Sequence, residues 1–222
     1  MITSDSLTIP TECKSDTLHA LFAVPVLSCV YEAEHSSELN FISNLDFSAA
    51  RPKYPEISVN TFVLNSPELI NIRRFIESKI EYFAKNVMSY DRDLIITQSW
   101  VNRQQKNAGH HEHQHPHSVI SGVWYPTNSE NLNPIIFRSP APFREIHAFD
   151  DMRRWDGTEP SDFGQIFSAS QVQVKGSSST SAGLLLFPSN LRHYVYCNPS
   201  DSLDSVYHLT HGPLAAWVRL SV

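Results

Sequence analysis

The sequence has few of the residues that mark several large classes of protein. Its 222 residues include only three cysteines (Cys13, Cys29 and Cys197) without C-x-x-C spacing, which argues against a disulfide framework and favours reduced thiols. The 17 basic residues are outnumbered by 23 acidic ones, and a net charge of −6 leaves no basic footprint for nucleic acid. No apolar stretch is long enough to span a membrane. We therefore expect a cytoplasmic protein with neither nucleic-acid nor membrane partners.

The remaining composition is that of an ordinary globular protein. Hydrophobic residues make up 41% of the chain and charged residues 18%. The length suits one domain with a sizeable core. We predict a single domain over residues 1–222, in which 1–93 form supporting strands and helices and 94–222 form the core. The oligomeric state stays open, a homodimer included.

Apolar periodicity predicts one clear helix in the first half of the chain. Ser66 is suited to the N-cap and Pro67 to the first helical position. Apolar residues then recur at helical spacing, which predicts that the helix packs on a sheet: Leu69, Ile72, Phe75, Ile76, Ile80, Phe83 and Val87. Around this helix we expect a strand pair or one bent strand around Pro25 at Leu21–Val30, a weak helix at Ser36–Leu45 and a strand at Ile57–Leu64.

After Asp91 the sequence changes to short β-rich segments separated by turn residues. Many short strands at close spacing predict a sandwich or a barrel. Two connections are long: Phe143–Asp162 has the length and polarity of a lid, and Asp201–Leu214 resembles an insertion. The predicted strands are Leu94–Arg103, Val119–Tyr125, Pro134–Arg138, Gln165–Val174, Gly183–Phe187, His193–Cys197 and Leu214–Val222.

The most informative segment is a group of five histidines within eight residues, directly before an apolar strand. Neutral imidazole is a good ligand for iron, copper, nickel and zinc. Side chains alternate along a strand, so that a His-x-His pair directs both rings to one side. The segment therefore predicts a metal at the mouth of a β-barrel. Spacing alone does not choose among the pairs His110/Glu112, His113/His115 and His115/His117.

Further ligands and a carboxylate-binding group are expected from distant strands. His193 is the best third ligand, because it opens a strand after a Pro-Ser-Asn turn that follows a buried apolar strand. His208 and His211 compete with it. Near the end of the chain, Arg219 and Ser221 face the same side of a strand, and a guanidinium with a hydroxyl is well shaped to hold a carboxylate.

Four blocks together resemble a known superfamily. The combination is similar to the 2-oxoglutarate- and Fe(II)-dependent oxygenases, and within them to a little-characterised family of bacteria and their phages. The resemblance covers Leu94 to the end of the chain. The blocks are Ser99-Trp100-Val101-Asn102, the His-x-His-Pro-x-Ser-x-x-Ser-Gly-x-x-Tyr run from His113 to Tyr125, the Leu-x-x-Phe-Pro-Ser-x-x-x-His-x-Val run from Leu184 to Val195, and Arg219-Leu220-Ser221.

The resemblance implies a fold and a set of site residues. The fold would be mainly β: a double-stranded β-helix, or jelly-roll barrel of cupin type, flanked by N-terminal helices. The metal ligands would be His113, His115 and His193. Arg219 would pair with the distal carboxylate of 2-oxoglutarate with help from Ser221, while Asn102 and Tyr125 would line the pocket.

The resemblance also implies a reaction. Fe(II), 2-oxoglutarate as co-substrate and O2 would be required. An unactivated C–H bond of an unknown small-molecule or peptidyl substrate would be hydroxylated, with release of succinate and CO2. Because histidine ligands must be neutral, we expect metal occupancy to fall below about pH 6.

Three alternatives remain open at the level of sequence. Most members of the superfamily bind iron through two histidines and one carboxylate, whereas here His115 occupies the carboxylate position. Glu112 as a ligand in place of His115 would restore the usual set. The protein could instead be a cupin-type metalloprotein that does not use 2-oxoglutarate, or a non-enzymatic module in which the histidines hold structural zinc.

Overall fold

A computed structural model describes residues 23–48, 52–104, 106–125, 135–140, 171–174, 182–197 and 211–220, with 171–173 and 211–220 described at the level of the backbone. The predicted lid at Phe143–Asp162 lies outside these residues. Among the residues that are described, no helix combines the length and apolar character needed to cross a bilayer.

The described strands of the second half of the chain form two antiparallel sheets, and strands from the first half are added to one of them. The large sheet has the order β1-β8-β5-β10-β3-β2 and the small sheet the order β4-β9-β6-β7. The strands are β1 (Leu27–Tyr31), β2 (Glu56–Ile57), β3 (Leu94–Arg103), β4 (His110–His113), β5 (Ile120–Tyr125), β6 (Ile135–Arg138), β7 (Gln171–Val174), β8 (Ala182–Pro188), β9 (His193–Val195) and β10 (His211–Leu220).

The eight strands from β3 onward define the architecture. Four of them (β3, β5, β8 and β10) lie in the large sheet and four (β4, β6, β7 and β9) in the small sheet, so that the chain crosses repeatedly between two facing layers. This is the strand arrangement of a double-stranded β-helix, or jelly roll. The predicted fold class is confirmed.

Strand β5 shows why two separate apolar clusters form. All six of its residues are buried, because one face packs on helices and the other faces the barrel interior. Ile120 and Trp124 belong to the cluster shared with the helices, and Val123 and Tyr125 to the interior cluster. A strand buried on both faces reads as a nearly continuous apolar run, interrupted here by Ser121 and Gly122. Gly122 permits close packing, since a Cβ there would lie 2.7 Å from Leu186 Cδ2.

In the described part of the chain, two α-helices pack against the large sheet: α1 (Ser36–Ser43) and α2 (Ile70–Tyr82). Helix α2 buries Ile72, Ile76 and Ile80, which confirms the predicted apolar stripe. It is entered through a 3-10 turn at Pro67–Leu69 and continues into a π-helical turn at Phe83–Val87. Ser66 stands at the N-cap of the entering turn, but its hydroxyl makes no capping hydrogen bond. Ser66 and Pro67 therefore take the predicted N-cap and first helical positions, at the start of the 3-10 turn and without a side-chain cap.

The strand predicted at Ile57–Leu64 is largely absent. Glu56–Ile57 forms a short strand with β3, Phe62 makes an isolated bridge to Ser99, and Val63–Asn65 forms a 3-10 turn. Single backbone hydrogen bonds connect the residues between these two elements to β3. The Ser58 N–H donates to the Val101 carbonyl, and the Ser99 N–H donates to the Thr61 carbonyl. The apolar members of its alternation do not share a buried face, since Val59 is 66% exposed.

Two further strand boundaries differ from the prediction. Where a strand pair or one bent strand was predicted around Pro25, the described residues contain one strand, β1, which starts at Leu27, after Pro25. The last strand begins at His211 and not at Leu214, because the segment predicted as an insertion contributes its end to β10, where His211 pairs with Arg103. His208 lies outside the described residues.

Candidate metal centre

Three histidines from two neighbouring strands and one connection meet at one end of the barrel. His113 ends β4 and His193 begins β9, and the pairing of these strands sets the two residues opposite each other. His115 follows two residues later in the connection to β5. One nitrogen from each ring lies within 4.8 Å of the other two. The ring centroids are 4.3 Å (His113–His193), 4.9 Å (His113–His115) and 5.0 Å (His115–His193) apart.

Backbone carbonyls orient two of these rings. His113 Nδ1 lies 2.7 Å from the His111 carbonyl oxygen, and His193 Nδ1 lies 2.9 Å from the Leu191 carbonyl oxygen. A carbonyl can only accept, so each Nδ1 carries the proton and each Nε2 keeps its lone pair. Metal-binding histidines are commonly oriented in this way. The ring of Phe187 closes the inner side of the site, 4.9 Å from His193.

The environment keeps these imidazoles neutral. Burial, with a contribution from the neighbouring histidines, lowers the pKa of His115 to about 3 and that of His193 to about 4. Burial also lowers the pKa of His113. Neutral imidazole is the form that binds a metal, so the trio is ready for a cation at neutral pH.

We predict that the metal-free protein loses stability as the pH falls from about 6.5 towards 4. In the unfolded chain a histidine takes up a proton near pH 6.5, whereas His115 and His193 resist protonation until about pH 3 to 4 when folded. The stabilisation is complete above the unfolded-state pKa and declines below it, by up to about 1.4 kcal/mol per pH unit for each such group. Urea unfolding at pH 7.5, 5.5 and 4.5 measures it.

In the same measurement, the free energy of unfolding of His193→Gln should fall less steeply with decreasing pH, because one imidazole that resists protonation in the folded protein has been removed. A pH-independent free energy of unfolding in the unmodified protein would contradict the prediction. Protons compete for the folded ligands only well below pH 6, so we expect retention below that pH.

Glu112 makes ion pairs away from the three histidines. Arg138 Nε donates to its Oε2 at 2.7 Å, and Arg192 Nη1 donates to its Oε1 at 3.3 Å. The hydrogen bond from Arg138 is the main reason that the pKa of Glu112 lies below its usual range. The carboxylate therefore links β4, β6 and the turn before β9. This geometry favours His115 over Glu112 as the third ligand.

We predict that Glu112→Gln binds Fe(II) with nearly unchanged affinity. The substitution removes a partly exposed charge pair, which contributes little, and leaves the three histidines in place. Equilibrium titration of the metal-free variant with Fe(II) under anaerobic conditions is the measurement. Loss of metal binding in Glu112→Gln, with binding preserved in His115→Ala, would instead identify Glu112 as a ligand.

The other histidines of the cluster border the site. A β-bulge lies between His110 and His113, whose partners on β9 are Val195 and His193. Because of the extra residue, the ring of His110 lies 4.5 Å from that of His113, although strict alternation would separate residues three apart. Burial lowers the pKa of His110 to about 4, and its Nδ1 is buried without a hydrogen-bond partner among the described residues. His111 and His117 are exposed.

The predicted pocket residues fall into two groups. Asn102 is buried and accepts a hydrogen bond of 3.2 Å from Trp100 Nε1, and the Trp100 ring lies 6.4 Å from that of His115. Tyr125 lies in the interior cluster, where burial raises the pKa of its hydroxyl. Asn102 thus contacts the side chain of Trp100, whose ring lies near that of His115. Tyr125 instead lies in the apolar interior.

The predicted carboxylate-binding residues lie on and after β10. The backbone of Arg219 pairs with Ile95, and its neighbour Val218 pairs with Ile120 at the start of β5. The backbone of Arg219 therefore lies at the same end of the large sheet as the start of β5, the strand that follows His115 in the chain. Ser221 lies outside the described residues.

Two serines near the site were given no role from the sequence. The hydroxyls of Ser121 and Ser189 are 2.7 Å apart and both residues are buried. Both serines occur in the motif blocks described above, Ser121 before Gly122 and Ser189 after Pro188, so the sequence did mark these two positions. Their meeting depends on the pairing of β5 with the end of β8, which no local pattern reveals.

A double-stranded β-helix thus carries, at one end, three largely buried histidines whose ring nitrogens could together hold a metal ion. A family described as "Putative 2OG-Fe(II) oxygenase" matches residues 98–204, a segment that contains all three histidines and ends before Arg219. This match and the fold both support the predicted resemblance to the 2-oxoglutarate- and Fe(II)-dependent oxygenases. A comparison with curated protein sequences found no match.

Solved structures with the same fold are distant in sequence. HygX from Streptomyces hygroscopicus, with nickel, 2-oxoglutarate and hygromycin B bound, is 11% identical over 88% of this chain and 81% of its own, with a TM-score of 0.53. A prolyl-4-hydroxylase from Pseudomonas putida is 10% identical over 90% of this chain and 94% of its own, with a TM-score of 0.52. EctD from S. alaskensis, with 2-oxoglutarate and 5-hydroxyectoine bound, is 13% identical over 100% and 79%, with a TM-score of 0.51.

Proposed function

We propose that this oxygenase uses Fe(II), 2-oxoglutarate and O2 to hydroxylate an unactivated C–H bond of its substrate, releasing succinate and CO2. The observation that carries the proposal is the convergence of His113, His115 and His193 within a fold and a matched segment typical of such enzymes. HygX binds nickel and 2-oxoglutarate in the same fold, which supports a similar arrangement here.

The three residues fit an Fe(II) ion. Imidazole nitrogen is a suitable donor for iron, and three protein donors would leave room for further ligands. The three nitrogens lie within 4.8 Å of one another, so side-chain rotations would bring each of them to the bonding distance of about 2.1 Å from one ion. Three neutral ligands leave both positive charges of the ion uncompensated, which favours a dianionic co-substrate.

The chain's own residues prepare and shield this centre. When bound, Fe(II) with 2-oxoglutarate supplies the oxidising chemistry that couples co-substrate decarboxylation to C–H hydroxylation by O2. The carbonyls of His111 and Leu191 hold two ligand rings in one orientation and one tautomer. Phe137 and Phe187 pack beside His193 and exclude water from the inner side. A dry, preorganised site favours the intended reaction over the loss of reactive species to solvent.

For the co-substrate, we propose that Arg219 pairs with the distal carboxylate with help from Ser221, and that Asn102 and Tyr125 line the pocket. We predict that Arg219→Ala raises the 2-oxoglutarate concentration needed for half-maximal turnover at least about tenfold, because a charge-assisted bidentate contact is lost. Its Fe(II) affinity should be nearly unchanged. Parallel loss of iron and co-substrate binding would indicate misfolding and contradict this role.

The proposed function is tested by adding Fe(II) and then 2-oxoglutarate to the metal-free protein without oxygen. A weak visible metal-to-ligand absorption band, followed by metal-dependent succinate formation when O2 is admitted, is expected. Iron binding without the band and without succinate would favour a cupin-type metalloprotein. Stoichiometric zinc that does not exchange would favour a structural metal module.

The proposed substrate is a small molecule or a peptidyl group, with neither nucleic acid nor membrane as partner. We also propose a cytoplasmic location. Free thiols are consistent with it: the described residues include two cysteines, Cys29 and Cys197, and neither forms a disulfide.

A further inference from the structure

The turn between β8 and β9 is joined to the segment between β4 and β5 by three hydrogen bonds, all made by Ser189. Its carbonyl accepts from the His115 N–H at 2.9 Å, and its own N–H donates to the Val119 carbonyl at 3.1 Å. Its hydroxyl contacts that of Ser121 at 2.7 Å. One residue therefore holds the segment at His115, at Val119 and at the start of β5.

The same turn leads directly to His193, another histidine of the trio. The Leu191 N–H donates to the Pro188 carbonyl at 2.9 Å, which closes the turn, and the Leu191 carbonyl accepts from His193 Nδ1. Leu191 is buried at 4% exposure and belongs to the interior cluster. A displacement of Ser189 would thus change the position of His115 relative to His193.

We propose that the hydroxyl pair of Ser121 and Ser189, here called the serine latch, is a positioning device that sets the separation of the His115 and His193 rings. The proposal rests on the proposed metal centre. His115 lies in a connection outside the strand ladders, so its position depends on bonds to neighbouring segments. The latch is almost completely buried, with Ser121 at 2% and Ser189 at 1% exposure. Water therefore does not replace the bond easily when one hydroxyl is removed.

A buried serine pair could also serve stability alone, and Ser99 provides the matched control. Ser99 is 2% exposed, and its hydroxyl accepts from the Leu64 N–H at 2.9 Å, on the side of the large sheet that packs against the helices. Ser99→Ala removes a buried hydroxyl hydrogen bond without touching the segments that hold the histidines. A purely structural latch would behave like Ser99.

The experiment compares Ser189→Ala, Ser121→Ala, the double variant and Ser99→Ala with the unmodified full-length protein, using Co(II) as the probe. Replacing groups that orient metal ligands typically lowers metal affinity by about 10–100-fold. We expect a loss in this range for both single latch variants, with an altered Co(II) visible spectrum. Ser99→Ala should keep affinity and spectrum while losing comparable stability. The double variant leaves no unpaired hydroxyl, so it should regain stability but not affinity.

A second readout needs no metal. Amide hydrogen exchange at His115 should be faster in Ser189→Ala and Ser121→Ala than in the unmodified protein and Ser99→Ala, since the latch restrains the carbonyl that holds this N–H. Unchanged exchange at His115 together with unchanged Co(II) affinity would overturn the latch. If His193→Ala still bound Co(II) normally, the proposed metal centre would be refuted. The exchange rate at His115 would still test whether the serine latch positions that residue. Should Ser189→Ala not fold, Ser121→Ala provides both readouts.

Discussion

Replacing His193 with alanine is expected to abolish 2-oxoglutarate-dependent succinate formation and to lower Fe(II) affinity by more than the 10–100-fold typical of groups that only orient ligands. The buried ring would supply one of three metal nitrogens, and the two that remain cannot hold the ion on one face. Fe(II) titration and single-turnover succinate formation measure the two effects.

The matched control for this prediction is His117→Asn. His117 belongs to the same histidine cluster but is exposed and lies outside the trio. Its φ of 64° is a left-handed conformation that asparagine tolerates, so the backbone should be preserved. We expect normal metal binding and turnover. Unchanged succinate formation in His193→Ala would refute the ligand assignment. The comparison requires that the two metal-free variants have unfolding midpoints within a few degrees of each other.

The second large effect concerns His115, where alanine and a carboxylate are expected to differ. His115→Ala should lose Fe(II) affinity to a similar extent as His193→Ala. His115→Asp, or the longer His115→Glu, should keep most of it, because two histidines and one carboxylate are the usual iron ligands of this superfamily. Desolvation of an unpaired carboxylate at a site with 7% exposure should also make the metal-free carboxylate variants less stable, and Fe(II) should restore that stability.

The comparison distinguishes ligation from packing. If His115 only filled space between Trp100 and His193, both carboxylate variants would lose metal as completely as His115→Ala. If Glu112 were the ligand, all three substitutions would leave affinity largely intact. Restoration by Asp or Glu, with loss in alanine, is the pattern expected of a metal ligand.

The sequence predicts the architecture well where burial imposes a simple period. The Ile72, Ile76 and Ile80 stripe of α2 and the nearly continuous apolar runs of β5 and β8 are local patterns, and the structure confirms them. The segment Ile57–Leu64 shows the limit. Its alternation resembled a strand, yet isolated hydrogen bonds to β3 and a 3-10 turn decide its conformation. Those bonds depend on residues roughly forty positions away, which a local pattern does not contain.

The sequence by itself determined the kinds of residue at the site and the strands that bear them: a histidine cluster before an apolar strand and a lone histidine after a Pro-Ser turn. Only the tertiary structure decided their arrangement. The pairing of β4 with β9 sets His113 beside His193, the bulge turns His110 to the same side, and Arg138 and Arg192 hold Glu112 away from the trio. The contact of Ser121 with Ser189 likewise arises only when β5 and β8 pair. These features depend on contacts between segments far apart in the chain, and such contacts are set by strand order and register rather than by residue spacing.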